Sequence, residues 1–175
     1  LGEGGAFSNP EPILCPVGGR DTGSSVEIPQ GVMFSSPKGI YLLGRSLESA
    51  FIGADVENKK AQKVLSAIKT PDLAQVRFLL DDGTILIYDY DFQQWSYRTF
   101  TEITAISDML IYEDSIALIC NSSSGVYLQS SGFQNIDASL APTNFTTSLE
   151  TGWINVGGIQ GYQRVKRAII LGQYK

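Results

Sequence analysis

The sequence of 175 residues contains no histidine. Histidine is the commonest general base near neutral pH and the commonest metal ligand, so this chain lacks both and every histidine-containing triad is excluded. Two cysteines are too few for a disulfide framework, and no apolar run approaches the ~20 residues of a membrane span. We therefore expect a protein that is not an enzyme, needs no cofactor or metal and does not enter a membrane.

Charge is also scarce. Charged residues make up 18% of the chain and apolar residues 43%, a balance that favours a packed core over a solvated, disordered chain. Acidic residues outnumber basic ones, which gives a formal net charge of −5. An acidic surface disfavours sequence-independent binding to a phosphate backbone, which needs a basic face. It would suit a surface that DNA passes without binding.

Glycine and aromatic residues are abundant, which is typical of many short strands joined by tight turns. Three segments share one plan, in which an apolar run, a polar turn ending in glycine and a second apolar run follow one another. Each segment predicts a β-hairpin. The three segments are residues 32–43, 76–88 and 116–128.

The hairpins recur at a period of about 43 residues. The turn glycines Gly39, Gly83 and Gly125 are spaced by 44 and 42 residues. Phe51 and Trp95 each follow their glycine by 12 residues, and Phe133 follows Gly125 by 8. This period predicts an all-β fold with propeller-like blades, in which the aromatic residue packs the outer strand on its neighbour. Three unrelated hairpins of a β-sandwich are the alternative.

The stretch from Tyr88 to Trp95 resembles a kelch blade, in which a strand leaves as Tyr-Asp and a tryptophan returns on the outer strand. The paired glycines of that repeat are missing here. The same aromatic residues could instead form a sugar-stacking platform. Asp89 and Asp91 are two residues apart, but their position beside a turn favours capping of backbone amides over acid–base chemistry. Asp81-Asp82-Gly83 is likewise typical of a turn.

Two further interpretations concern single segments. Residues 60–69 carry apolar side chains at helical spacing before Pro71, which predicts a short helix, with a twisted strand and a loop as the alternative. Cys120 ends an apolar run, so we expect it to be buried as a small hydrophobic residue.

The chain divides into three expected regions. Residues 1–30 are rich in glycine and proline and suggest an extended arm or connecting segment, and residues 31–141 carry the blades. From residue 142 a second, sandwich-like β domain begins, which we expect to be truncated at Lys175. Because the chain starts at Leu1, we interpret it as an internal piece of a longer polypeptide.

Charged residues suggest two further sites. Arg45, Arg77 and Arg98 occur at blade-like positions, as the three carboxylate-binding arginines of sialidases do, although the segment 35–39 lacks the aspartate of a sialidase Asp-box. A sialidase-like glycosidase is therefore an enzyme alternative. A possible interaction surface combines a basic cluster with two aromatic residues: Arg164, Lys166, Arg167, Tyr90 and Trp95.

Three segments, in order along the chain, together resemble a family of virion proteins. Residues 31–43 (GVMFSSPKGIYLL), the Tyr88-Asp89-Tyr90 stretch with Gln94-Trp95, and residues 150–165 (ETGWI through GYQRV) are similar to segments of large tailed-bacteriophage proteins. These are the tail hub, or tail accessory factor, proteins of short-tailed phages such as the one that infects Salmonella.

The resemblance implies a propeller-bearing structural subunit of the virion tail. Such a subunit would form a ring, expected to be sixfold, around the DNA exit channel and would join the head-to-tail adaptor to fibres, spikes or a needle. It would retain packaged DNA and open for ejection. No catalytic residue carries over from the family. A host-recognition or carbohydrate-binding propeller is the alternative function.

Overall fold

The computed structural model describes residues 13, 15–71, 73–100, 105–121, 125–129, 135–136 and 142–143. These residues form antiparallel β-sheets and one short 3₁₀ helix, so the all-β expectation is confirmed. The chain falls into two compact units, Leu1–Gln129 and Ser130–Lys175. The described part of the second unit is one short antiparallel pair of strands.

The first sheet, sheet I, is a meander of four strands that pair in chain order. Its strands are β1 (Val26–Ile28), β2 (Gly31–Ser36), β3 (Gly39–Gly44) and β4 (Ser49–Phe51). Gly39 has a φ of 116° in the tight β2–β3 turn, a conformation that favours glycine. The 3₁₀ helix Ala54–Lys59 follows β4. Strand β1 thus places residues 26–28 of the expected arm in the first sheet.

The second sheet, sheet II, repeats the same meander. Its strands are β5 (Val64–Lys69), β6 (Gln75–Leu80), β7 (Ile85–Asp89) and β8 (Gln94–Arg98). Sheet III contains β9 (Ile106–Tyr112), β10 (Ser115–Cys120) and β11 (Val126–Leu128), again in chain order. In the second unit, β12 (Asn135–Ile136) pairs with β13 (Pro142–Thr143).

All three predicted hairpins are present, as the pairs β2–β3, β6–β7 and β10–β11. Each corresponds to the second and third strands of its sheet. Gly83 adopts a φ of 80°, as a turn glycine should. The hairpin repeat predicted from the sequence is therefore present in all three sheets.

The predicted helix over residues 60–69 is wrong. Residues Val64–Lys69 form strand β5, and a loop precedes it, so the alternative of a strand with a loop is confirmed. A β-bulge between Val64 and Ser66 breaks the two-residue alternation of this strand. Val64 therefore contributes to one core while Leu65 and Ile68 contribute to the other, and the apolar spacing imitates a helix.

The sheets stack face to face, with one core between sheets I and II and another between sheets II and III. Strand β6 is buried on both faces, because successive side chains point to opposite sides of a strand. Val76, Phe78 and Leu80 join the first core, and Leu79 joins the second. The first strands of the three sheets also contact one another in turn, β1 with β5 and β5 with β9.

Candidate interaction surface

A buried aspartate links sheet I to the first strand of sheet II. The Asp21 side chain, 5% exposed, accepts hydrogen bonds at Oδ2 from the Val64 amide (3.0 Å) and the Ser35 hydroxyl (3.3 Å). Arg20 forms an ion pair with the same oxygen at 3.0 Å. Because these donors belong to β2, to β5 and to the segment before β1, the carboxylate holds the two sheets together at this end.

We call these contacts of Arg20, Asp21, Ser35 and Val64 the polar clamp. Arg20 and Gly23 make further close contacts with the chain at and before β5. The Arg20 guanidinium donates to the carbonyl oxygens of Lys60 and Gln62, which lie in the loop before β5. A Cβ at Gly23 would lie 2.4 Å from the Leu65 carbonyl oxygen, so only glycine allows the backbone to approach β5 this closely. No local sequence motif indicates the clamp, because Arg20 and Asp21 bind backbone groups that are 40 to 43 residues away in sequence.

A small cavity lies beside the clamp, lined by Ser35, Gly53, Val56, Gln62 and Leu86 among others. Its volume of about 20 Å³ has room for a water molecule and is far below the several hundred Å³ of a small-molecule site. The cavity therefore offers a place for solvent between the sheets and no substrate pocket.

Trp95 ties the outer strand of sheet II to sheet I. Its indole Nε1 donates to the Ile52 carbonyl oxygen at 2.7 Å, just after β4. The ring packs against Tyr88 (centroids 4.7 Å apart) and Phe78 (6.1 Å), both buried in the first core. Burial also raises the pKa of Tyr88. The expectation that the outer-strand aromatic residue packs on a neighbouring sheet is confirmed for Trp95, whereas Phe51 packs on Tyr41 of its own sheet and is 41% exposed. Whether the stretch from Tyr88 to Trp95 binds sugar stays a prediction.

The candidate carboxylates act in turns, as expected. Asp89 Oδ1 accepts hydrogen bonds from the amides of Asp91 (3.1 Å) and Phe92 (3.0 Å). Asp82 accepts from the Thr84 amide and pairs with Lys59 at 2.8 Å. Although desolvation acts to raise it, the hydrogen bonds from Lys59 and Thr84 hold the pKa of Asp82 below its ordinary value.

Arg77 is a buried cation between sheets II and III. The residue is 6% exposed, and its Nη1 donates to Gln129 Oε1 at 2.5 Å, while its Nε is buried without a hydrogen-bond partner. Desolvation, and secondarily the charge of Arg98, lowers the pKa of Arg77 to about 10. Burying a charge with an unpaired donor opposes folding, so the Arg77 guanidinium lowers the stability of the stacked sheets.

The structure does not bring the three arginines of the glycosidase alternative together on one sheet. Arg77 and Arg98 share the face of sheet II that points to sheet III, and the Arg98 guanidinium lies 4.7 Å from the centre of the Phe100 ring. Arg45 lies in the β3–β4 turn of sheet I, where its Nε donates to the Pro29 carbonyl oxygen at 2.7 Å. The geometry therefore gives no support to a three-arginine carboxylate site.

The face of sheet I that points away from sheet II carries an aromatic ladder. Phe34 pairs with Tyr41 and Tyr41 with Phe51 across the strands, with ring centroids 6.2 and 5.2 Å apart. Phe51 is 41% exposed, and Val32 on the same face is 38% exposed. We call this surface, formed by Val32, Phe34, Tyr41, Leu43 and Phe51, the front face.

Sheet III has a second open apolar surface on the side away from sheet II. Val126 is 66% exposed, Leu128 52% and Leu110 37%, and strand register places Leu110 and Leu128 on either side of Ala117. We call this surface, formed by Leu110, Ile119, Val126 and Leu128, the back face. Ala117 lies between them and is buried, and the exposed Asp108 lies opposite Ile119 on the same face. The part of the chain that the structure describes thus ends in one apolar face at each side of the stack.

The residues of the predicted interaction surface fall in two places. Tyr90 and Trp95 are half-buried and pack against the first core, and whether they also bind a partner stays a prediction. Arg164, Lys166 and Arg167 lie outside the described residues, as does Phe133. Cys120 is buried in the second core, as expected, and burial raises the pKa of its thiol.

Among the described residues, no group of three or more acidic, cysteine or histidine side chains could hold a metal ion. The same residues include no helix long and apolar enough to cross a membrane. Comparisons with protein-family models, curated proteins and solved structures found no match to this chain.

Proposed function

We propose that the chain is a structural subunit of a bacteriophage tail. The subunit would form a ring-shaped hub or nozzle that joins the head-to-tail adaptor to the distal tail parts and conducts or retains DNA. The carrying observation is the ordered set of family-like segments. The first coincides with the β2–β3 hairpin and the second runs from β7 to Trp95 in β8, so both belong to the sheet repeat. The third lies outside the described residues.

We also infer that sheets I to III are propeller-like blades. Two features support this. Each sheet is a meander in chain order, and the first strand of each sheet contacts the first strand of the next, as the inner strands of blades do around an axis. The net charge of −5 suits a surface past which DNA must slide. The open front and back faces suit a subunit whose task is assembly.

Immunogold electron microscopy tests this function directly. An antibody raised against the chain, applied to particles of the virus whose genome encodes it, should label the tail below the head–tail junction. Pre-adsorption of the antibody with the purified chain serves as the control and should abolish the labelling. A gene located away from head, portal and terminase genes, or particles without specific label, would overturn the proposal.

A further inference from the structure

The front face of sheet I repeats a surface that is buried elsewhere in the same chain. Val32 and Val76 each precede their turn glycine by seven residues, and Phe34 and Phe78 precede it by five. Val76 and Phe78 are fully buried against sheet I, and the Trp95 ring lies beside Phe78 in a tilted contact. The front face therefore has the composition of a surface that, one repeat later, binds the apolar face of a neighbouring sheet.

The back face resembles the surface of sheet I that covers Val76 and Phe78. Sheet I covers the Val76–Phe78 surface with small and medium aliphatic side chains, chiefly Ile28, Met33 and Ile40. Sheet III presents aliphatic side chains on its open side, where Val126 and Leu128 are more than half exposed. An aliphatic back face and an aromatic front face are thus the two partners of one kind of interface, and each is open at one end of the stack.

We propose that the back face of one copy of this chain binds the front face of a second copy. The contact is head-to-tail, since the two surfaces differ, and successive copies would extend the order of sheets already present within one chain. The rotation between successive sheets then decides whether the copies close into a ring. The inference rests on the proposed function to the extent that it assigns the contact surfaces of the proposed ring.

Sedimentation velocity of the full 175-residue chain over a concentration series tests this contact. Phe51→Lys places a charge on the front face and Val126→Lys places one on the back face. Each variant alone should weaken self-association at least about tenfold, because a lysine in the middle of an apolar contact must be desolvated. Phe92→Lys is the matched control: Phe92 is 76% exposed in the β7–β8 turn, away from both faces, and its variant should associate as the unmodified chain does.

A mixture of the two face variants gives the sharpest result. The Val126→Lys copy keeps its front face and the Phe51→Lys copy keeps its back face, so the mixture should form one-to-one dimers and nothing larger. Dimers formed by either variant alone would indicate a contact between two like faces and would overturn the proposal. An unmodified chain that stays monomeric over the concentration series would also overturn it.

Far-UV circular dichroism of each variant shows whether the fold is intact. If Phe51→Lys or Val126→Lys does not fold, Val32→Lys and Leu128→Lys test the same faces at positions that are 38% and 52% exposed. Failure of this contact is distinguishable from failure of the proposed function, since immunogold labelling of the tail does not depend on which faces join the subunits.

Discussion

Replacement of Arg77 by methionine should make the first compact unit more stable at pH 7. Burial and the neighbouring Arg98 lower the pKa of Arg77 well below its ordinary value, to about 10. At roughly 1.4 kcal/mol per pKa unit, keeping the guanidinium charged in the folded state costs on the order of 3 kcal/mol. Loss of the hydrogen bond to Gln129 offsets about 1–2 kcal/mol of this, because Gln129 is half-buried and can regain water. Methionine fills the space with apolar atoms, so we expect a net gain of about 1–2 kcal/mol.

Urea denaturation at pH 7 measures the effect. Following Trp95 fluorescence in a Trp153→Phe background reports on the first compact unit, to which Trp95 belongs. Arg45→Met is the matched control, since Arg45 is exposed, and its free energy of unfolding should change by no more than about 0.5 kcal/mol. A loss of more than about 1 kcal/mol in Arg77→Met would refute the reasoning, because it would mean that Arg77 stabilises the stack.

The pH dependence gives an independent check. The pKa of Arg77 is lower in the folded chain than in the unfolded chain, so the unfolded chain binds more protons at pH values above about 10. Over this range the free energy of unfolding of the unmodified chain should rise relative to that of Arg77→Met. The advantage of the variant is therefore complete below pH 10 and shrinks above it. A difference between the two that stays constant as the pH rises from 9 to 11 would contradict the assignment.

Three further substitutions or reactions test the stack. Trp95→Phe should cost about 1–2 kcal/mol in urea denaturation followed by circular dichroism, since it removes the bond to the Ile52 carbonyl; an unchanged midpoint would contradict the inter-sheet role. Asp21→Ala should cost about 2–4 kcal/mol, because it leaves the Val64 amide without its acceptor, and a loss below about 0.5 kcal/mol would refute the clamp. The Cys120 thiol should react with a disulfide reagent at least about 100-fold more slowly than Cys15 at pH 8, and equal rates would show that it is accessible.

The hairpins could be predicted because their signals are local. A turn such as Asp81-Asp82-Gly83 carries its own chemistry: Gly83 adopts the positive φ, and Asp82 caps the amide of Thr84. The apolar runs on either side then pair without help from distant residues. The position of Asp89 beside a turn is an equally local signal, and its carboxylate caps two amides there.

The remaining features could not be predicted because they depend on contacts distant in sequence. The bulge in β5 places Leu65 and Ile68, which are three residues apart, in the same core, and the resulting apolar spacing is indistinguishable from a helical stripe in sequence. Asp21 meets Val64 only once two sheets are stacked. The sequence places Arg77 at a blade-like position, but its burial is decided by sheet III, whose strands begin about 30 residues later.

Electron microscopy of the purified protein in its native assembly tests the central claim most directly. If the chain is a ring-forming tail subunit, class averages should show closed rings, expected to be sixfold, with an open central channel. A stable monomer under native conditions, or an assembly without a channel, would contradict the account.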